Sequence, residues 1–344
     1  MKSGASNLGS ARYSGPLGEV QDRSIVFGEL PRQRESTVLK GKKILLTGLT
    51  GQVGGAFADQ LAPHNTVWGL ARYSRPGSRE RAEQAGVKTV SGDFAKGELD
   101  EAPDDIDIVV HVAANTKPGS AENGMLQNAE GTGLLMQKYR HVDAFIFVSA
   151  SGCYLDDPDP HHRYKETDDV GGTTPFAPNY GPTKLAAEGV VRTLSRINGT
   201  PTTIARLDVS YGGPYDDGGL PGHHLDSIID GRPVLLPKGR PCLHSPIHED
   251  DMVRHLAVFA RAARSPATLV NWGGPEGVLL EDWCRYIGEL VGREPIFEYG
   301  EGKTLWGRIT DTDYGSSLGM EWQVKWQEGM RRMVEARRPD ALVS

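Results

Sequence analysis

The chain has 344 residues, 38 Lys plus Arg against 45 Asp plus Glu for a net charge of -7, and a hydrophobic share of 38%. That length supports one large or two modest cores, and the mixed charge offers no basic stretch able to track a nucleic-acid backbone. Cys153, Cys242 and Cys284 fit neither a disulfide framework nor a zinc spacing, and no run nears the roughly 18 apolar residues that cross a bilayer; a cytoplasmic protein without nucleic-acid or membrane partners is expected.

Residues 1–38 mix Ser, Gly, Arg and Gln around Ile25, Val26 and Phe27, and read as an N-terminal extension, either a tail or an arm docking that apolar triplet. From Lys42 the texture changes. Ile44 to Leu46 form an apolar strand, and a glycine-containing turn leads into a helix carrying Val53, Phe57 and Leu61. Further strands read at 66–70, 88–90, 106–111, 144–149 and 202–207, separated by helices at 79–84, 122–139 and 183–196. Several of these strands are short apolar runs, as in sheets buried on both faces. The alternation predicts an α/β fold, a Rossmann-like doubly wound parallel sheet over 39–210.

After Ser210, Gly, Pro and His become frequent. A long loop is expected over 211–221, then a helix at 225–229, a strand at 234–236, and elements at 251–263, 268–271, 280–291 and 324–334. Residues 211–336 thus read as a smaller, mainly C-terminal substrate-binding region with segments returning to the first domain, and 337–344 as a tail.

The first strand is followed by Gly48, Thr50, Gly51, Gln52, Val53 and Gly54. Gly48 allows a tight turn, Gly51 a close approach of backbone to a pyrophosphate, and Gly54 close packing of helix on strand, while the helix N-terminus favours the phosphates. No Lys stands at Walker spacing, which weighs against an ATPase. A carboxylate near the end of the second strand would bind a free ribose 2'-hydroxyl, but none lies between Ala62 and Ser78. Arg72, with Arg75 nearby, can meet a 2'-phosphate, so NADP is expected over NAD; the alternative is that both arginines face solvent. Asp93 and Phe94 can bond and cover an adenine or simply cap a loop, and Ala113, Ala114 and Asn115 offer small and polar groups where a dinucleotide passes.

Tyr180 and Lys184, four apart, share one helix face. Ser149 and Ser151 lie at the end of the preceding strand. A phenol whose ordinary pKa near 10 is lowered by a neighbouring ammonium and a nicotinamide cation can move the proton that accompanies hydride transfer, while a serine hydroxyl polarises the substrate oxygen. Ser151 is preferred to Ser149 for that role.

On these residues the chain resembles the extended short-chain dehydrogenase/reductases of the NAD-dependent epimerase/dehydratase family, over roughly 42–336. The resemblance implies a catalytic Tyr180 and Lys184, a structural or proton-relaying Asn128, and a homodimer; Glu188, Arg206, Tyr211 and Gly212 also match the family's surroundings. Two departures stand out. Gly152 and Cys153 follow Ser151 where 4,6-dehydratases carry acids, and Asp208 replaces an asparagine frequent in sugar-nucleotide members, which argues against a UDP-sugar substrate. The expected activity is NAD(P)-dependent hydride transfer at a secondary alcohol or ketone of a small polar metabolite. The alternatives are a redox-neutral epimerase of a sugar or sugar nucleotide, and a non-catalytic dinucleotide sensor.

Other conspicuous residues receive plainer readings. His161 and His162 with Asp156, Asp157 and Asp159 read as a solvated loop, not a metal site. His223 and His224 are either exposed or in contact with substrate. Cys153 is packing, not a nucleophile, Asp251 is a helix N-cap, and Trp283 is core.

Overall fold

Strands such as Lys43–Thr47 and Ala144–Ala150 have no polar face to offer water: Ile44, Leu45, Leu46, Phe145, Ile146 and Phe147 are all fully buried. The computed structural model describes residues 38–173, 177–215, 218–301 and 306–343, so the expected extension, apart from Val38, lies outside the described residues. Seven strands form one parallel sheet: β1 (Lys43–Thr47), β2 (Thr66–Ala71), β3 (Lys88–Ser91), β4 (Ile108–His111), β5 (Ala144–Ala150), β6 (Thr202–Leu207) and β7 (Thr268–Trp272). Their spatial order is β7-β6-β5-β4-β1-β2-β3. The chain reverses its direction of winding between β1 and β4, and in sheets of this topology the ligand crevice lies at that point, outside the carboxyl ends of the strands.

Alternation along β1 divides the core. Ile44 and Leu46 face the helices Gln52–Leu61 and Glu249–Ala262, through Phe57, Met252 and Leu256. Leu45 faces the other layer, where Leu135 of the helix Gly131–Lys138 and Val191 of the helix Tyr180–Asn198 meet Phe145 and Phe147. A separate cluster, including Leu225, Trp283, Ile287 and Met330, builds a smaller lobe from the helices Gly219–Ile229, Leu280–Val291 and Trp326–Arg337. The expected architecture is the one formed.

Beyond shifts of a few residues at element ends, three local departures from expectation stand out. The helix expected at 225 starts at Gly219, because Pro221 falls in its first turn, where a missing N–H costs nothing. The stretch expected as one helix over 122–139 is an α-turn, a π-helical turn at Met125–Glu130 and a second α-helix. Asp251 is not an N-cap: His248 Nδ1 accepts from Asp250 N at 3.1 Å in that role, and the Asp251 carboxylate accepts from the N–H groups of Gln323 and Val324.

Candidate active site

The turn after β1 separates three glycines by what each must accommodate. Gly48 has a left-handed φ of 74°, and a Cβ there would stand 2.7 Å from Ala113 N. A Cβ on Gly54 would stand 2.3 Å from Gly48 O. Gly51 meets no such constraint: its backbone is extended, and a Cβ would find nothing of the chain closer than Gly48 O at 3.5 Å. The helix that starts next has no side-chain cap and no acid in its first turn, so its free N–H groups suit an anion. Gln52 Oε1 is buried without a hydrogen-bond partner among the described residues. Space at Gly51, free amides and an acceptor awaiting a donor fit a dinucleotide. Thr50 is half-buried at the rim, and Val53 packs down onto the core.

The rest of the expected cradle is a mixture. Arg72 is exposed just past β2. The Asp93 carboxylate accepts from Ala95 N at 3.1 Å and so caps its own loop. The Phe94 ring turns inward, edge-on to His111 at 5.1 Å. Ala113 N donates to Thr47 Oγ1 at 3.1 Å, and the half-buried Ala114 and Asn115 follow along the crevice. Asn128, on the π-helical turn, holds this segment. Its Oδ1 accepts from Asn115 N at 2.7 Å, and its Nδ2 donates to Asn115 O and to Thr183 Oγ1, both at 3.0 Å. The carboxamide clamps the loop after β4 to the Tyr180–Asn198 helix.

A buried chain unforeseen from sequence braces the same region. Thr132 Oγ1 donates to Asn128 O at 2.6 Å, so it accepts from His111 Nε2 at 2.8 Å; His111 Nδ1 then accepts from Thr47 Oγ1 at 2.7 Å. Burial pushes His111 down to about 3, and the Lys184 charge adds to this, so the ring is neutral.

Tyr180 opens its helix half-buried, and its hydroxyl has no hydrogen-bond partner among the described residues. Lys184, one turn on, is buried; Nζ donates to Val148 O at 2.7 Å and lies 4.1 Å from the Phe147 ring centroid. Burial pushes the ammonium down to about 8, against the pull of Cys153 and Glu188. The expected lowering of the Tyr180 pKa is not a property of the chain by itself. Burial holds the phenol above its ordinary value, and Cys153 pushes the same way. A lowered value would require positive charge beyond the Lys184 ammonium.

The two serines have distinct fates. Ser149 Oγ donates to Glu188 Oε1 at 2.6 Å, inside the bidentate pair that Glu188 forms with Arg206. Ser151 Oγ donates to Asp208 Oδ1 at 2.8 Å. The 151–153 turn rests on the start of the Tyr180 helix, since a Cβ on Gly181 would stand 2.5 Å from Gly152 O. Cys153 is buried, and burial, with Glu188 behind it, pushes its thiol up to about 11, as suits packing. His224 is neither an exposed loop residue nor open to a substrate: it is buried and its Nδ1 accepts from Trp283 Nε1 at 2.9 Å.

The family described as NAD dependent epimerase/dehydratase matches residues 44–273. Solved structures agree in fold. UDP-N-acetylglucosamine 4-epimerase from Methanobrevibacter ruminantium M1, in complex with UDP-N-acetylmuramic acid, is 17% identical with a TM-score of 0.75, over 86% of this chain and 98% of that one. UDP-glucose 4-epimerase from Thermotoga maritima, with UDP-glucose, is 21% identical with a TM-score of 0.74, over 86% and 99%. UDP-glucose 4-epimerase from Thermus thermophilus, in complex with NAD, is 22% identical with a TM-score of 0.72, over 85% and 98%. No curated protein sequence matches the chain. The expected preference for NADP is overturned: the family is NAD dependent, and similar structures hold NAD. Arg72 is accordingly the solvent-facing arginine of the alternative reading. No helix among the described residues is long and apolar enough to cross a membrane.

Proposed function

The chain belongs to the NAD dependent epimerase/dehydratase family, and on that premise we propose that it is a redox-neutral epimerase of a sugar or sugar nucleotide, in place of the net oxidoreductase expected from sequence. The observation that carries this reading is the unpartnered Tyr180 hydroxyl one helical turn ahead of the buried Lys184, beside the turn that bears Ser151. The UDP-sugar epimerases of similar fold support it.

Gly48, Gly51 and Gln52, with the segment Ala113, Ala114 and Asn115, would hold NAD. The chemistry that bound NAD would supply is reversible hydride exchange with the substrate carbon. Tyr180 takes the hydroxyl proton and gives it back, Lys184 supplies positive charge beneath it, and Ser151 is the second group at the substrate oxygen. Asp93 contributes through the loop it caps, and Asn128 through the segment it clamps.

The expectation against a UDP-sugar rested on Asp208 standing where many sugar-nucleotide members carry an asparagine. Its carboxylate is turned to Ser151, His244 and Ser245, so this position serves the protein's own framework.

The test is incubation of NAD-loaded protein with UDP-glucose, UDP-N-acetylglucosamine and UDP-glucuronic acid, reading sugar configuration by NMR and reduced nicotinamide by absorbance. Inversion at one carbon without accumulated NADH is expected. Stoichiometric NADH would instead identify a dehydrogenase.

A further inference from the structure

Just past β6, the Asp208 carboxylate is enclosed, its side chain 3% exposed, and it collects three donors. Oδ1 accepts from Ser151 Oγ at 2.8 Å and faces His244 Nδ1 at 3.4 Å; Oδ2 accepts from Ser245 N at 2.6 Å. The His244 side chain is 4% exposed, with Nε2 3.7 Å from Cys242 Sγ and its ring against Trp283. The neutral His224 lies on the same tryptophan. Burial opposes charge on His244, but the Asp208 carboxylate and Cys242 outweigh it and push the imidazole up to about 10. Among the described residues, Asp208 and His244 are thus an ion pair enclosed in the wall behind Ser151.

An ionised carboxylate has lone pairs and no hydrogen. Ser151 has a single hydrogen, and it is directed at Asp208. What its oxygen keeps for the crevice is a lone pair. We propose that Asp208, held by His244, is a positioning residue that fixes the Ser151 hydroxyl as a hydrogen-bond acceptor toward the substrate, so that Ser151 binds a hydroxyl and gives no donor to a carbonyl. An alcohol can then be held by Ser151 and Tyr180 together, and a ketone by Tyr180 alone. The identity of that hydroxyl rests on the epimerase reading above.

The substitution Asp208→Asn reverses the polarity with little change of shape. Ser245 N–H needs an acceptor and so keeps the carboxamide oxygen on its side, which turns the amide nitrogen toward Ser151 and His244. Ser151 then accepts from the amide, and its hydrogen is released to the crevice.

The experiment uses the full-length, NAD-loaded protein and two ligands that differ only at the C4 oxygen, UDP-6-deoxyglucose and UDP-4-keto-6-deoxyglucose. In the Asp208→Asn variant the ratio of affinities should move toward the ketone by roughly tenfold, the worth of one hydrogen bond, and Ser151→Ala in that background should cancel the shift. A purely structural role would move both affinities together; that result, or an unchanged ratio, overturns the proposal. Separately, nitrogen NMR of histidine-labelled protein at about pH 8 should find His244 doubly protonated in the native chain and singly protonated in the variant. A singly protonated His244 in the native chain overturns the proposal whatever the substrate. Should neither ligand bind, the sugar-nucleotide reading falls, and the imidazole spectrum alone decides for or against the Asp208 pair.

Discussion

The Lys184 ammonium donates to the Val148 carbonyl at 2.7 Å, which ties the helix that Tyr180 opens to the strand that ends beside Ser151. The anchor fixes where the phenol stands without using the phenol itself. Position and chemistry are therefore separable by mutation.

Replacing Tyr180 with Phe removes a hydroxyl that bonds to nothing in the described chain, so folding and NAD affinity should change little. Turnover should fall by about 10²- to 10⁴-fold, the usual contribution of a positioned acid-base group. Progress curves beside fluorescence titration of NAD would check this; near-normal turnover would remove Tyr180 from the chemistry.

Gly48→Ala and Gly51→Ala should fail in different ways. The first places a Cβ 2.7 Å from Ala113 N at a left-handed φ, and should lower the melting temperature. The second has room within the chain and should melt normally but lose NAD binding. A Gly51→Ala protein that binds NAD with native affinity would contradict the cradle.

Glu188 and Arg206 form a buried pair with side chains 2% and 3% exposed, and Ser149 completes it. Glu188→Ala leaves the guanidinium buried without its counter-charge and should cost about 3–5 kcal/mol in urea unfolding. Ser149→Ala removes one donor from a carboxylate that retains others, and should cost about 1–3 kcal/mol.

Stability should depend on pH with a definite sign. Burial pushes His111 and His224 down to about 3 and His248 and His255 to about 4, from an ordinary 6.5. Below 6.5 the unfolded chain takes protons that the folded chain refuses, so stability is full above that value and falls with acidification toward 4. Each group contributes a slope of up to about 1.4 kcal/mol per pH unit. His244, raised to about 10, acts oppositely: its contribution is complete below 6.5 and is lost as pH rises through 10. Urea titrations across this range should therefore give a maximum slightly above 6.5 with the steeper side in acid. A flat profile between pH 5 and neutrality, where the difference should reach several kcal/mol, would contradict the buried neutral histidines.

What could be read in advance was whatever depends on neighbours in sequence. The Gly48 to Gly54 turn and the Tyr180 and Lys184 spacing are local, and strand burial follows from runs such as Ile44 to Leu46. What could not be read depends on partners far along the chain. Ser151 and Asp208 are separated by 57 positions, and His111 joins Thr47 to Thr132 across two layers. Phe94 shows in sequence as a ring beside a strand end, but nothing nearby in sequence reveals the histidine it packs against. The NADP expectation failed for a related reason: an arginine at a strand end shows its charge in sequence but not whether it turns to a ligand or to water.

The wide turn at Met125–Glu130 has a bearing on chain length. A π-helical turn takes up one residue more than an α-turn, so a deletion of one residue there would let the segment rewind as ordinary α-helix while Leu135 and Met136 kept their interior places and Leu134 its solvent-facing one. The same deletion inside the regular helix that follows would have no slack to draw on and would turn every later position by about 100°. The bulge is thus the one stretch of this segment whose length can change without moving the oily side of the succeeding helix off the sheet.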